Sequence, residues 1–335
     1  MERLVVCGWE HDESALLQAL REQAQLETVA IGDQYPARLV RARTATRLAC
    51  YQHPRQMARD QAFDALLLAA PEAAEEVTTT AAVRGADLLL LGDRMDADAL
   101  HAASTAAIRY GTALAVLRPF VRTAGLTFVT DLVEADPRWT PSLLMLDLAD
   151  ERPAPQLLRD ALAMVLRMSE ATPLEVVATA AGDTETPAAI AVHLRGSEGV
   201  MCTIAVRGLV DPAVRLHADT ANGTIDIDTA ENESHVTLTS LQGERERTTL
   251  RDGDTIAAEA RRVARIRHGE PLDARHALRE VAVLRAVEES LATGQPVAVG
   301  EPSMRSILRL LAGGAHPSPR QGRLHLVGAL GSSSR

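Results

Sequence analysis

Lysine is absent from this chain of 335 residues, so all 35 basic residues are arginines. An arginine stays protonated at any accessible pH; it can bind an anion but cannot take up or release a proton in a reaction. The composition therefore excludes any mechanism that needs a lysine as acid or base.

Cysteine and aromatic residues are also scarce. Cys7, Cys50 and Cys202 are odd in number and widely spaced, which favours reduced thiols over disulfides. Aromatic residues make up 2% of the chain and the net charge is -10, whereas nucleic-acid binding needs a basic surface and stacking platforms. We therefore expect no nucleic-acid partner.

Long apolar runs and metal-ligand spacings are missing as well. No apolar run reaches the roughly 18 residues of a membrane helix, and no basic segment followed by an apolar one opens the chain. The histidines and cysteines show no metal-binding spacing. These absences predict a cytoplasmic protein with no membrane partner and no metal.

Residues 1–120 alternate apolar, strand-like runs with helical patterns. The strand-like runs include "RLVVCG", "DALLLAAP" and "DLLLLGD". Such alternation is typical of α/β proteins, in which helices cover both faces of a parallel sheet. The pattern predicts a Rossmann-like, doubly wound domain that holds ligands at the carboxyl ends of its strands.

The remaining chain has a different pattern. Apolar and polar residues alternate with period two between about 174 and 250, and Asn222-Gly223 indicates a hairpin turn. The proline- and charge-bearing stretch 133–156 reads as the transition between units. We predict an α+β domain with an open antiparallel sheet over 121–300, then a C-terminal extension over 301–335 that is partly mobile.

Three segments, in this order, resemble one enzyme family. They are "DALLLAAPEAAEEVTTTAAVRGADLLLL", "VRLHADTANGTIDID" and "GEPLDARHALREVAVLRAVEESLATGQPVAV". They resemble the Gfo/Idh/MocA oxidoreductases, which include glucose-fructose oxidoreductase and inositol dehydrogenase, and the similarity covers about residues 3–300. The resemblance implies an NAD(P)-binding Rossmann domain, a substrate among sugars, inositols and related alcohols, and a second-domain sheet that often mediates oligomerisation.

The glycine-rich turn that holds the dinucleotide in this family is degenerate here. Of its three glycines only Gly8 remains; Glu10 and Glu13 stand at the other two positions, with Asp12 between them. Carboxylates at a helix start stabilise the helix dipole but repel a pyrophosphate at close range. We therefore expect no bound cofactor, or NAD or NADP if the chain is instead an active oxidoreductase.

Other parts of the family's nucleotide cleft have matching residues. Asp33 closes the second strand, near where the family holds the adenosine ribose, although an aspartate before a turn is common without a ligand. Ala70-Pro71 matches the small-Pro turn of the cleft and equally suits a helix start. Gly8, Asp33, Ala70 and Pro71 are thus the cofactor-binding candidates.

The family's acid-base residues are missing. Its lysine follows the fifth strand, where this chain reads Leu91-Gly92-Asp93-Arg94. Its histidine and aspartate lie on the first helix of the second domain, where Ala161 and Met164 align and Asp160 is the only nearby carboxylate. The catalytic residues are therefore unknown, with Asp93 and Asp160 as candidates.

Two arginines follow predicted strands and are candidates for an anion or substrate cleft. Arg94 follows the fifth strand and Arg118 the sixth, so both could bind a carboxylate or phosphate between the domains. The alternative is that both are solvated side chains at strand ends.

Besides a small-anion sensor that would use Arg94 and Arg118, the sequence leads to two functional hypotheses. The first is a divergent member of the family without dehydrogenase activity that acts as a binding or assembly subunit. It would form a homo-oligomer through the C-terminal sheet or a hetero-oligomer with an active homologue. The second is an active NAD(P)-dependent oxidoreductase on a sugar, inositol or related alcohol, in which Asp93, Asp160 or a substrate group replaces the usual acid-base residues.

Overall fold

The computed structural model describes residues 1–9, 13–118, 123–169, 171–183, 187–230, 233–251, 253–267 and 274–300. The predicted extension 301–335 lies outside these ranges. No helix in these ranges has the length and apolar character needed to cross a membrane.

The N-terminal half is built on a parallel sheet of six strands in the order β3-β2-β1-β4-β5-β6. The strands are β1 (Glu2–Cys7), β2 (Leu26–Gly32), β3 (Ala49–Tyr51), β4 (Ala65–Leu68), β5 (Asp87–Leu91) and β6 (Leu114–Leu117). The helices between them are α1 (Ser14–Ala24), α2 (Pro36–Thr46), α3 (Pro54–Asp60), α4 (Ala74–Val83) and α5 (Ala97–Tyr110).

This sheet confirms the predicted doubly wound architecture. Every residue of β4, β5 and β6 is buried, because helices cover both faces and leave no polar side to the strands. The chain winds from β1 to β3 in one direction and from β4 to β6 in the other, so the winding reverses between β1 and β4. A crevice forms outside the carboxyl ends of strands at such a switch point.

The second sheet has nine strands in the order β14-β13-β12-β11-β7-β10-β9-β8-β15. They are β7 (Pro141–Asp150), β8 (Pro173–Gly182), β9 (Pro187–Gly196), β10 (Met201–Gly208), β11 (Ala213–Thr220), β12 (Gly223–Ala230), β13 (Glu233–Ser240), β14 (Arg245–Arg251) and β15 (Val297–Ala298). Neighbours are antiparallel except for β7 and β10. The predicted open antiparallel sheet is confirmed, although the parallel pair of β7 and β10 departs from the prediction.

The sequence interpretation of residues 133–156 was wrong in one respect. This stretch contains β7, a central strand of the second sheet, rather than only a transition. Leu144, Leu146 and Leu148 of β7 are buried on one face, while Met145 is 48% exposed on the other. The flanking prolines and charges made this alternating strand resemble a linker.

Helices α6 (Ala124–Ala135), α7 (Ala154–Met168) and α9 (Ala274–Thr293) cover one face of the second sheet. Helix α8 (Thr255–Arg267) follows this sheet in the chain but packs on α1 and β6 of the first one. Its buried residues Ala260, Val263 and Ile266 join the core that contains Leu16 and Leu20. Through α7, α8 and α9, charged side chains reach the carboxyl ends of β5 and β6.

Candidate functional site

The crevice at the switch point is closely packed where β1 and β4 end. Gly8 has φ +94°, and a Cβ placed on it would lie 2.5 Å from the Cβ of Ala70 and 2.8 Å from its backbone nitrogen. The Gly8 N–H donates to the carbonyl of Gly32 at 2.7 Å. The structure thus brings the predicted residues Gly8 and Ala70 together, with Pro71 at the start of the next helical turn.

Gly8→Ala is expected to destabilise the protein more than an equivalent change at an open position. Gly85 also has a positive φ, +76°, but nothing lies within 4 Å of the place its Cβ would occupy. We expect Gly85→Ala to cost about 1 kcal/mol of unfolding free energy through backbone strain, and Gly8→Ala to cost about 1–3 kcal/mol more through overpacking. Urea unfolding measures both; equal losses would contradict the close packing of Gly8 on Ala70.

Asp33 is engaged by the backbone of the turn that follows β1. Its side chain is 2% exposed, and its Oδ2 accepts the Trp9 N–H at 2.7 Å while Oδ1 accepts the Tyr35 N–H at 2.8 Å. Trp9 itself is 2% exposed and belongs to the core. In a dinucleotide fold a carboxylate at this place binds the ribose hydroxyls. Here both carboxylate oxygens of Asp33 already accept backbone N–H groups of the chain itself.

A buried ion pair crosses the crevice. Glu13 immediately precedes α1, and Arg94 follows β5. Arg94 Nη1 lies 2.5 Å from Glu13 Oε1 and Nη2 lies 3.3 Å from Oε2, and each side chain is 5% exposed. Since β4 separates β1 from β5 in the sheet, the pair bridges the switch point. The start of α1, where free N–H groups would favour a phosphate, carries a carboxylate instead.

A second group of buried charges joins the two halves of the molecule. The guanidinium of Arg118, at the end of β6, donates from Nη1 to Asp160 Oδ1 of α7 at 2.8 Å and from Nη2 to Glu280 Oε1 of α9. Arg152 donates from Nη1 to Asp160 Oδ2 at 2.9 Å. We call Arg118, Asp160, Glu280, Arg152 and Asp93 the interdomain charge cluster.

Asp93 belongs to this cluster through Arg152. Its Oδ2 lies 3.5 Å from Arg152 Nη1, and the Arg159 guanidinium donates to its backbone carbonyl at 2.9 Å. Asp93 is 3% exposed, and its Oδ1 has no hydrogen-bond donor within the part of the chain described. One guanidinium nitrogen of Arg152 is therefore shared by both catalytic candidates, Asp93 and Asp160.

Burial dominates the ionisation of the interdomain charge cluster. Burial raises the pKa of Asp160 above the ordinary value of an aspartate; Asp93 also raises it, while Arg118 and Arg152 lower it. Burial works against the charged form of Arg118, but Glu280 and Asp160 raise its pKa, so the guanidinium stays protonated. The two arginines therefore oppose the effect of burial on Asp160.

The structure pairs both predicted cleft arginines with carboxylates of the chain itself. Arg94 binds Glu13, and Arg118 binds Asp160 and Glu280. Neither is a solvated strand-end side chain, because Arg94 and Arg118 are both 8% exposed. An external anion would have to displace a buried carboxylate from either one. Among the described residues, no three histidine, cysteine or acidic side chains are grouped as a metal site requires.

Sequence reasoning missed two members of the interdomain charge cluster, Glu280 and Arg152. Glu280 lies on the buried side of α9, next to Ala277 and Val281. A charged residue inside an apolar helical stripe is the signal that could have found it, because such a group is buried only with a partner. Arg152 precedes α7 and carried no comparable signal.

Solved structures similar to this chain include dehydrogenases and oxidoreductases. A probable dehydrogenase from Thermotoga maritima has 18% identity and a TM-score of 0.70, covering 89% of this chain and 98% of that one. An oxidoreductase from Agrobacterium radiobacter, in complex with NAD+, L-tartaric acid and magnesium, has 14% identity and a TM-score of 0.73, with 89% and 98% covered. UDP-N-acetylglucosamine 3-dehydrogenase from Acidithiobacillus ferrooxidans has 18% identity and a TM-score of 0.70, with 87% and 97% covered.

The chain therefore has the two-domain fold of the Gfo/Idh/MocA-type dehydrogenases, and the predicted resemblance is confirmed at the level of the fold. At the level of sequence, no protein-family model matches the chain. No curated protein matches it either.

Proposed function

We propose that this chain is a dehydrogenase-fold protein without dehydrogenase activity, which acts as an assembly subunit. The observation that carries the proposal is the Glu13–Arg94 ion pair across the switch-point crevice. The Glu13 carboxylate of this pair places a hydrogen-bond acceptor at the start of α1, where a bound pyrophosphate would need N–H donors.

The energetic cost of dinucleotide binding follows from this pair. A pyrophosphate at the start of α1 would have to separate Arg94 from Glu13 or lie against the Glu13 carboxylate. Leaving one member of a buried ion pair without its partner costs about 3–5 kcal/mol. Each 1.4 kcal/mol is about tenfold in affinity, so the penalty is about a hundred- to several-thousand-fold.

The acid-base groups of the cleft support the same proposal. General acid-base catalysis contributes about 10²- to 10⁴-fold and needs a group that exchanges protons near the working pH. The chain has no lysine, and residues 161 and 164 are alanine and methionine. Asp160 is tied to Arg118 and Arg152, so its proton exchange would break two ion pairs.

The surface proposed for assembly is the outer face, the side of the nine-stranded sheet opposite α6, α7 and α9. Met145 and Met201 are 48% and 43% exposed on this face. Ion pairs between neighbouring strands accompany them: Arg195–Glu175 at 2.6 Å, Arg207–Asp147 at 3.1 Å and Arg215–Asp228 at 3.6 Å. A face with both apolar side chains and charges of both signs suits a second copy of the chain or an active homologue with a similar face.

Calorimetric titration with NAD+, NADH, NADP+ and NADPH tests the loss of cofactor binding. We expect a Kd weaker than about 1 mM for the wild-type chain, given the penalty above. Glu13→Gly removes the carboxylate and frees Arg94 at the helix start, so we expect nucleotide affinity to rise at least about tenfold. Wild-type binding in the micromolar range would overturn the proposal.

The second candidate is an active NAD(P)-dependent oxidoreductase. It is favoured by the raised pKa of Asp160 and by Asp93 Oδ1, for which the described residues provide no donor. In that case a substrate hydroxyl would supply the missing donor and one of the two carboxyls would take its proton. Reduction of NAD(P) with a panel of sugars and inositols, lost in Asp160→Asn with nucleotide affinity unchanged, would favour this candidate over the first.

A further inference from the structure

We propose that self-association through the outer face is coupled to protonation of His217, so that it strengthens as the pH falls. This inference rests on the proposed assembly function and names the regulation of the same surface. It arises from the way charges are distributed around His217.

His217 lies between two carboxylates on the outer face. In the register of the sheet it is opposite Met145 of β7 on one side and Asp226 of β12 on the other. Its Nδ1 lies 2.7 Å from Asp226 Oδ1, and its Nε2 lies 3.3 Å from Asp219 Oδ1. Its side chain is 40% exposed. Both ring nitrogens therefore face acids, an arrangement that suits the imidazolium, which donates from both.

The other carboxylates nearby have arginine partners. On the neighbouring strands, Asp147 pairs with Arg207 and Asp228 pairs with Arg215. Asp219 and Asp226 have no arginine within 4.0 Å in the described parts of the sheet, and His217 is their counter-charge. The net charge of this part of the face therefore depends on whether His217 is protonated.

The remaining side chains around His217 do not replace it. Toward β13 and β14, Thr237 and Arg247 continue its row of the sheet, and His235 lies opposite Asp228. His235 Nδ1 lies 3.0 Å from Thr249 Oγ1. Thr237, Arg247 and His235 line a shallow depression of about 590 Å³ together with His217 and Asp226.

Covering this part of the outer face with a second copy would remove water from the two carboxylates. With His217 protonated, the two carboxylates are buried with a cation between them; with His217 neutral, they are buried with none, which weakens association. The hydrogen bond from Asp226 raises the pKa of His217, burial opposes this, and the charges of Asp226 and Asp219 reinforce it. Association therefore favours the protonated form and takes up protons.

Sedimentation of the full chain at about pH 6 and about pH 8.5, at one salt concentration, tests the inference, because this interval spans histidine titration. We expect the dimer Kd to be at least about tenfold weaker at the higher pH, since each linked proton changes log Kd by up to about one per pH unit. His217→Gln should abolish this dependence. His193→Gln is the matched control: His193 is on the same face and contacts Thr203 rather than a carboxylate, so it should retain the dependence.

The outcomes separate the two proposals. Equal association at both pH values, or an unchanged pH dependence in His217→Gln, overturns the coupling while leaving assembly intact. A monomer at every pH and concentration overturns the assembly function and the coupling with it. Calorimetric dilution in two buffers of different ionisation enthalpy gives a second measure: we expect proton release on dissociation in the wild type and none in His217→Gln.

Discussion

Arg118→Met is expected to lower the free energy of unfolding by about 3–5 kcal/mol near neutral pH. The substitution keeps an unbranched apolar stem but removes the cation that binds Asp160 and Glu280. Asp160 is fully buried and Glu280 is 5% exposed, so water cannot replace the lost partner. Equilibrium unfolding in urea measures the loss as a shift of the midpoint at an unchanged slope.

The loss should depend on pH in a defined direction. Burial already raises the pKa of Asp160, and removing Arg118 raises it further, above the unfolded value. A carboxyl whose pKa is higher in the folded state than in the unfolded state stabilises the fold at pH values below the unfolded-state pKa. This contribution is lost as the pH rises through the folded-state pKa. The deficit of Arg118→Met should therefore be larger at about pH 8 than at about pH 5.

Arg195→Met is the matched control for this variant. Arg195 pairs with Glu175 at 2.6 Å, but the two side chains are 59% and 34% exposed. An exposed pair of this kind contributes about 0–1 kcal/mol, so this variant should unfold nearly as the wild type does. Similar losses in Arg118→Met and Arg195→Met would show that the interdomain charge cluster is not desolvated.

The fold could be predicted largely because its strongest signals are local. Runs such as "DALLL" and "DLLLL" mark strands buried on both faces, and Asn222-Gly223 marks the β11–β12 hairpin. Strand β7 was missed because its neighbours in the sheet, β10 and β11, lie far along the chain and none of its own turns is a hairpin. The packing of α8 on α1 is likewise a long-range contact without a local signal.

The candidate site was predicted in its positions but not in its pairing. Strand ends placed Asp93, Arg94 and Arg118 at the carboxyl edge of the sheet, and the structure puts them there. Their partners are distant in sequence: 81 positions separate Glu13 from Arg94, and 162 separate Arg118 from Glu280. Residue spacing contains no information on such contacts, so arginines that suit an external anion proved to bind carboxylates of the same chain.

Arg94→Met is expected to cost about 3 kcal/mol of unfolding free energy, toward the lower end for a broken buried ion pair. The Glu13 carboxylate that loses Arg94 lies at the start of α1, where the positive end of the helix dipole offsets about 0.3–1 kcal/mol. At the Arg118 site two carboxylates lose a cation and no helix dipole offsets the effect. We therefore expect Arg118→Met to lose more unfolding free energy than Arg94→Met. Urea unfolding of both variants under one condition tests the order.

The double variant Glu13→Leu/Arg94→Met separates the ion pair from its surroundings. The double variant replaces both charges by apolar groups of similar size, and buried pairs replaced in this way are often close to neutral in stability. We expect the double variant to recover most of the stability lost in Arg94→Met. Because any loss in Glu13→Leu adds to this recovery, the coupling energy in a double-mutant cycle should be at least about 2 kcal/mol. Additive losses from Glu13→Leu and Arg94→Met would contradict a direct pair across the crevice. They would also remove the physical basis for the exclusion of a pyrophosphate from the start of α1.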